Sequence, residues 1–318
     1  MTKRTYTIII ALLVALDIAT GFWYFSNHVN SDGKGGDFFA DANSSDDDAT
    51  MADTIPDGQT GDKFELIADN AYFVSEKPLI AGKSDTYYTS IKRFKAKVPT
   101  SINGNQSLEA LVSALASKAF DSSSEISIET GLNAFLGDPS FNDKVGSYKK
   151  LETAPDIVKD YGNVKGIKIY PTFGSENFLV MAIDKTFYNG ESTSERLEFV
   201  TFNRRTLQVM EKGEILNPSQ EEGILALVNA NIDKMRHESR RQLASASHLP
   251  SEIYPRRNGI YFVYAAGTIA SEKEGIIEVF VGYNALSPYL TEEFNDIAKT
   301  NTNFTEYDPV TFAQDKKK

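Results

Sequence analysis

Residues 166–203 run GIKIYPTFGSENFLVMAIDKTFYNGESTSERLEFVTFN, and their reading decides the fold. Gly166–Phe173, Asn177–Ile183 and Arg196–Asn203 are rich in β-branched and aromatic side chains. Gly174-Ser175 and Asn189-Gly190-Glu191 punctuate them, so they read as three successive strands. Connections this short favour antiparallel pairing, because a parallel neighbour needs a crossover of a dozen residues or more. Downstream, Gly259–Tyr264 and Ile276–Tyr283 add two strands, the second alternating Ile277, Val279, Val281 and Tyr283. Upstream, Tyr87–Val98 reads as a strand ending at Pro99, and Asn103-Gly104-Asn105 as a turn. Helical spacing appears twice. Ser107 is placed to cap a helix with Leu108, Leu111, Val112, Leu115 and Ala119 on one face. Pro218-Ser219-x-x-Glu222 has the form of a capping box, opening a helix to about Arg241 whose apolar face is Ile224, Leu225, Val228, Ile232 and Met235. Strands in runs with helices set between them predict an α+β fold, a mostly antiparallel sheet packed with helices.

The N-terminus carries a different signal. Lys3 and Arg4 precede an apolar run from Ile8 to Phe25 that is broken by Asp17 and ends in Trp23 and Tyr24. Eighteen helical residues span about 27 Å, just short of a hydrocarbon core of about 30 Å. A transmembrane signal anchor is the preferred reading of residues 8–25. A cleaved signal peptide lacks its small residues after the apolar run, since Phe-Trp-Tyr-Phe stands there. A buried soluble helix is the third reading. Positive charge ahead of the run sends the bulk of the chain out of the cytoplasm, to the periplasm or beyond a bacterial cell membrane crossed once. Residues 31–62 follow, with nine Asp among Gly, Ser, Thr and Ala, and read as an acidic flexible linker. Of the chain's net −11, this linker carries −8, residues 1–30 carry +1 and residues 63–318 carry −4. Nothing in such a balance neutralises a phosphate backbone, so nucleic acid is excluded as a partner.

Composition also removes much chemistry. The chain has no Cys and three His, so disulfides, iron–sulfur clusters, Cys nucleophiles and imidazole-rich metal sites are excluded, and no cofactor or metal is expected. His28 lies beside the apolar run, His237 on the polar side of an Arg-rich helix and His248 in a Ser/Ala loop, none of them placed as a general base. No Gly-x-Ser-x-Gly, His-Glu-x-x-His, Walker A or Gly-x-Gly-x-x-Gly occurs. Ser-x-x-Lys occurs at Ser31–Lys34 and Ser147–Lys150, at chance frequency. Carboxylate-pair chemistry stays open, because spacing in sequence does not reveal a pair about 5–9 Å apart. The Arg cluster at Arg236, Arg240, Arg241, Arg256 and Arg257 reads as a solvated face, and the 20 Phe and 15 Tyr as core and cross-strand pairs before any sugar-stacking platform.

The blocks Tyr188-Asn189-Gly190, Phe202-Asn203-Arg204-Arg205-Thr206-Leu207-Gln208-Val209, Gly213-Glu214-Ile215-Leu216, Gly259–Tyr264 and Val279–Leu286, closing at Pro288-Tyr289-Leu290, are carried in a moderately specific order. On them the chain resembles the C-terminal domain family of RsiV, domain of unknown function 3298. Residues 64–135 look like the companion region that precedes this domain. The resemblance implies a membrane-tethered extracytoplasmic α+β module. Its relatives include a lysozyme-sensing anti-sigma factor and the non-catalytic portion of some peptidoglycan deacetylases. It carries over no catalytic residue, and a cytoplasmic segment of about seven residues leaves no room for an anti-sigma domain.

The organisation expected is therefore an anchor over 1–30, a linker over 31–62, a companion α+β region over 63–160 and an RsiV-C-terminal-like domain over 161–318. The expected function is a membrane-anchored binding domain for cell-wall glycan (peptidoglycan) or a wall-acting protein such as lysozyme, without catalysis of its own. An Asp/Glu-dependent envelope hydrolase acting on peptidoglycan is the alternative. A structural protein using a sheet edge or exposed patch is a third class. The expected contact residues are Tyr264, Glu272 and Tyr289, which flank the loop and C-terminal turn around the final strand, where loops held by a rigid sheet carry binding.

Overall fold

The computed structural model describes residues 61–75, 89–137, 148–153, 163–188, 192–239 and 241–307. The expected anchor at 8–25 and all but the last two residues of the expected linker lie outside them. Strands β1 (Lys63–Ser75), β2 (Thr89–Ser101), β3 (Tyr148–Leu151), β4 (Asn163–Gly174), β5 (Phe178–Tyr188), β6 (Thr193–Asn203) and β7 (Gln208–Met210) form a sheet in the order β3-β1-β2-β4-β5-β6-β7. The strands β8 (Glu252–Pro255), β9 (Gly259–Tyr264) and β10 (Ile277–Gly282) form a second sheet in the order β10-β9-β8, and β11 (Thr305–Glu306) pairs with the end of β4. Helices α1 (Glu109–Ala119), α2 (Ile128–Gly137), α3 (Lys212–Ile215), α4 (Glu221–Ser239), α5 (Tyr283–Leu286) and α6 (Glu292–Lys299) complete the described residues. The fold is α+β, and its strand pairs are antiparallel except β2 with β4, which run parallel. Among the described residues no helix is long and apolar enough to cross a membrane.

The central strand explains the layering. Phe178 to Ile183 on β5 are six successive buried residues. Side chains of a strand alternate between its faces, so Phe178, Val180 and Ala182 enter one core while Leu179, Met181 and Ile183 enter another. On one side, α1 and α2 cover the sheet through Leu111, Leu115, Ala116, Ala119, Ile128 and Phe135. On the other, the three-stranded sheet and α4 close the core, with Ile224, Val228 and Ile232 against Ile260, Phe262, Val279 and Val281. The apolar faces read from helical spacing are thus the buried ones. A row of aromatics runs from the larger sheet across the smaller one: Phe199 of β6 stacks on Tyr254 at 4.1 Å, Tyr254 on Tyr261 at 5.0 Å, and Tyr261 meets Phe280 at 5.1 Å.

Strands β1 and β3 and helices α2 and α6 have no counterpart in the sequence reading, and three of its local signals resolve differently. Strand β2 does not stop at Pro99 but reaches Ser101, because its parallel neighbour β4 pairs only as far as Ala96 and asks for no N–H from Pro99. The residue preceding α1 is Leu108, without a side-chain cap, since the backbone N–H of Ser107 donates to Asn105 Oδ1 at 2.8 Å within the turn. Asn217, rather than Ser219, caps the entry to α4: it accepts from the Ser219 N–H at 3.1 Å, and a single 3₁₀ turn over Pro218–Gln220 feeds the helix directly. Asn caps as well as Ser, and here it lies where the chain first turns.

Candidate functional site

Strands β2, β4, β5 and β6 all present one end toward the loop between α1 and α2. Sheet and loop enclose a cavity of about 690 Å³, within the range of small-molecule sites. Its floor is Lys92, Lys165, Ile167 and Lys185 from the sheet, and its apolar wall is Phe120, Ile126 and Phe135. Ser122, Thr130 and Ser194 add hydroxyls to the lining. Two helices meet closely at this wall, because Gly131 faces Phe120 where an added Cβ would lie 2.0 Å from the ring.

The charges of this cavity are almost all spoken for. Lys185 Nζ donates to Asp121 Oδ1 at 2.7 Å and to Glu198 Oε1 at 3.3 Å, and also to the Lys118 carbonyl at the end of α1. Arg196 bridges the same two carboxylates, Asp121 at 3.3 Å and Glu198 in closer contact. Glu198 is buried, so this pairing is what permits its charge there. Lys92, also buried, donates to the Phe135 carbonyl at 2.6 Å and lies over the Phe73 and Phe135 rings. It thereby supplies the donor and positive charge that the last turn of α2, which has no basic residue of its own, would otherwise lack. Lys165 differs: it lies 5.8 Å from the Phe135 ring centroid and pairs with no carboxylate among the described residues.

The opposite face of the same strands is acidic and phenolic. Strand alternation sends Asp184 and Glu195 there, with Lys168 bonded to Asp184 at 3.3 Å, while Glu195 at the end of β6 also borders the cavity. Desolvation and then Asp184 raise the Glu195 carboxyl above its usual range, against the pull of Lys168. Burial raises the Tyr170 hydroxyl, helped by Asp184 and Glu278, and also that of Tyr254, which donates to Glu278 Oε1 at 2.9 Å. Among the described residues no group of acids and histidines is arranged to hold a metal ion.

No family model matches the sequence, and neither does any curated protein. Solved structures do. A DUF3298 family member from Bacteroides fragilis matches at a TM-score of 0.51 and 16% identity, over 76% of this chain and 98% of the other. The fold is that of a DUF3298 protein. A second DUF3298 protein, from Pseudomonas aeruginosa, is similar at a TM-score of 0.47 and 10% identity, over 73% of this chain and 97% of its own.

On this DUF3298 fold the three expected contact residues stand apart from the cavity. Tyr264 is buried at 1% exposure in the core between α4 and the smaller sheet, its hydroxyl bonded to the His248 carbonyl at 3.2 Å. Tyr289 is half-buried against Gly223 of α4, where an added Cβ would lie 2.2 Å from its ring. Glu272 is exposed on a 3₁₀ turn over Glu272–Glu274. No hydrogen bond, ion pair or ring contact joins any two of them. Two arginines of the expected solvated cluster serve packing: Arg236 donates to the Leu243 carbonyl at 2.8 Å, and Arg256 bonds Glu306 and lies over Phe173 and Tyr254. The cavity residues escaped sequence reading because they come from five separate segments. The one available cue was Lys at 92, 165 and 185, charges on the strand face that otherwise carries Phe94, Ile167 and Ile183.

Proposed function

We propose that the chain is a single-pass membrane protein of the bacterial envelope whose DUF3298-type fold is a non-catalytic binding module, displayed outside the cytoplasm and directed at cell-wall glycan. The carrying observation is the cavity of about 690 Å³, whose Asp121 is engaged, together with the buried Glu198 beside it, by Lys185 and Arg196, leaving Glu195 at its edge outside that network. A general acid must hold a proton and a general base must be free to take one. Asp121 and Glu198, locked to two cations, serve neither role, and Glu195 by itself makes no carboxylate pair, whereas hydroxyls and an aromatic wall serve to hold a ligand. Residues 8–25 supply the membrane anchor in this reading, and the acidic segment after them the spacer.

The test uses the full chain, purified in mild detergent and incubated with isolated cell-wall sacculi, then centrifuged. Protein in the pellet with no muropeptides in the supernatant is the expected result. Released muropeptides that disappear in Glu195→Gln or Asp121→Asn would establish the hydrolase alternative instead. Protein left in solution with nothing released would remove glycan as the ligand and turn the search to wall-acting proteins such as lysozyme.

A further inference from the structure

We infer that the cavity selects a saccharide bearing a single carboxylate, with Lys165 reading the charge and the Phe120–Ile126 wall packing the sugar ring. This inference rests on the binding role proposed above and names the ligand chemistry of that site. Three observations on the cavity carry it. First, its other cations are engaged: Lys185 and Arg196 are matched by Asp121 and Glu198, and buried Lys92 is spent on the Phe135 carbonyl, while Lys165 meets no carboxylate among the described residues. One such ammonium suits one acid group and not a polyanion, whose successive charges would each need a cation. Second, the wall beside it is aromatic and aliphatic, with Phe120 half-buried and braced from behind by Phe94 at 5.5 Å. A braced ring offers a rigid flat surface to the apolar C–H face of a sugar. Third, hydroxyls line it: Ser194, Thr130, which shares a hydrogen bond with Ser127, and Ser122, whose proton is spent on the Ser124 carbonyl, and the second lone pair of a hydroxyl oxygen remains to accept from sugar hydroxyl and acetamido groups. Lys165 is itself held in place, its stem on β4 and its ammonium over the Phe135 ring, so little freedom is lost when an acid arrives.

The probes are N-acetylmuramic acid and N-acetylglucosamine, the same hexose with and without a carboxylate-bearing ether. Each is titrated calorimetrically into the full chain in mild detergent. The acidic sugar is expected to bind at least tenfold tighter. Lys165→Met, which keeps an unbranched stem on the ring, is expected to erase that preference and leave the weak affinity for the neutral sugar unchanged, whereas Lys165→Arg retains the preference. Equal binding of the two sugars, or a preference that survives Lys165→Met, would overturn the inference. The wild-type comparison stands by itself if either variant fails to fold. A chain that sediments with sacculi yet shows no preference for the acid defeats this inference and leaves the binding role intact. A chain that neither sediments nor binds either sugar defeats both.

Discussion

The deepest single dependency in the molecule is Arg204. Its guanidinium meets Asp62 in two parallel bonds, at 2.6 and 3.0 Å, with both side chains at 2% exposure or less. The Tyr307 hydroxyl donates to Asp62 at 2.9 Å and the Asn103 backbone N–H at 3.2 Å. Arg204→Met leaves a buried carboxylate without its cation and is expected to cost about 3–5 kcal/mol in denaturant unfolding. Adding Asp62→Asn to that variant is expected to recover a large part of the loss, because the cost lies in the abandoned charge. Tyrosines give a second signature. Burial lifts Tyr261 and Tyr264 to about 12 and also raises Tyr170, Tyr254 and Tyr283 above the ordinary value of 10.0. Between pH 10 and 12 the unfolded chain therefore binds fewer protons than the folded one, and stability falls as pH rises. Alkaline titration is expected to leave the absorbance of these five of the fifteen tyrosines to rise late and together with unfolding. Ionisation of all fifteen near pH 10 while the fold persists would contradict the burial of these hydroxyls.

At the scale of elements, β5 is the strand on which both cores depend. Leu179 and Val180 are neighbours in sequence, fully buried, and on opposite faces. Leu179→Ala is expected to lose about 2–5 kcal/mol by opening a hole under α1. Because it lies in the other core, a substitution such as Ile232→Ala on α4 is expected to add to it nearly independently. Denaturation of the two single variants and the double variant measures this, and strong non-additivity would mean that the two layers are not separate packing units. The α1–α2 contact behaves differently. Gly131→Ala drives a methyl into the Phe120 ring, so the ring must turn into the cavity. A loss of about 1–3 kcal/mol is expected, together with weaker binding of whatever ligand the cavity takes.

For the whole molecule, the ends of the folded part matter more than their composition suggests. Asp62 comes from the acidic segment, Arg204 from the turn after β6, and Tyr307 from just beyond β11, so one ion pair ties the first, middle and last described segments together. A soluble piece beginning at residue 54 is expected to unfold cooperatively, whereas one beginning at residue 64 loses Asp62 and is expected to be less stable by the several kcal/mol of a broken buried pair. Circular dichroism during thermal unfolding compares the two directly, and identical midpoints would show that the pair does not secure the fold.

Much of this architecture was written in local patterns. Gly259–Tyr264 emerges with the bounds read from sequence, and the strands from Gly166 to Asn203 differ only at their ends. Alternation and helical spacing are properties of neighbouring residues, so the sequence alone sufficed for the α+β class and for the buried faces of α1 and α4. What depended on distant residues was hidden. Asp62 read as one more acid in a spacer, because its partner lies 142 positions away. Nothing in the linear pattern sets Lys92, Lys165 and Lys185 apart from other strand charges, and Tyr264 read as a residue beside a binding loop, although it is buried in the core. A cavity is a relation among segments that meet only after the chain has folded, and charge pairing across it depends on distances that linear spacing does not encode. Sequence determined the central strands and the apolar faces of α1 and α4; the tertiary structure decided which charges are neutralised and which lysine remains to meet a ligand.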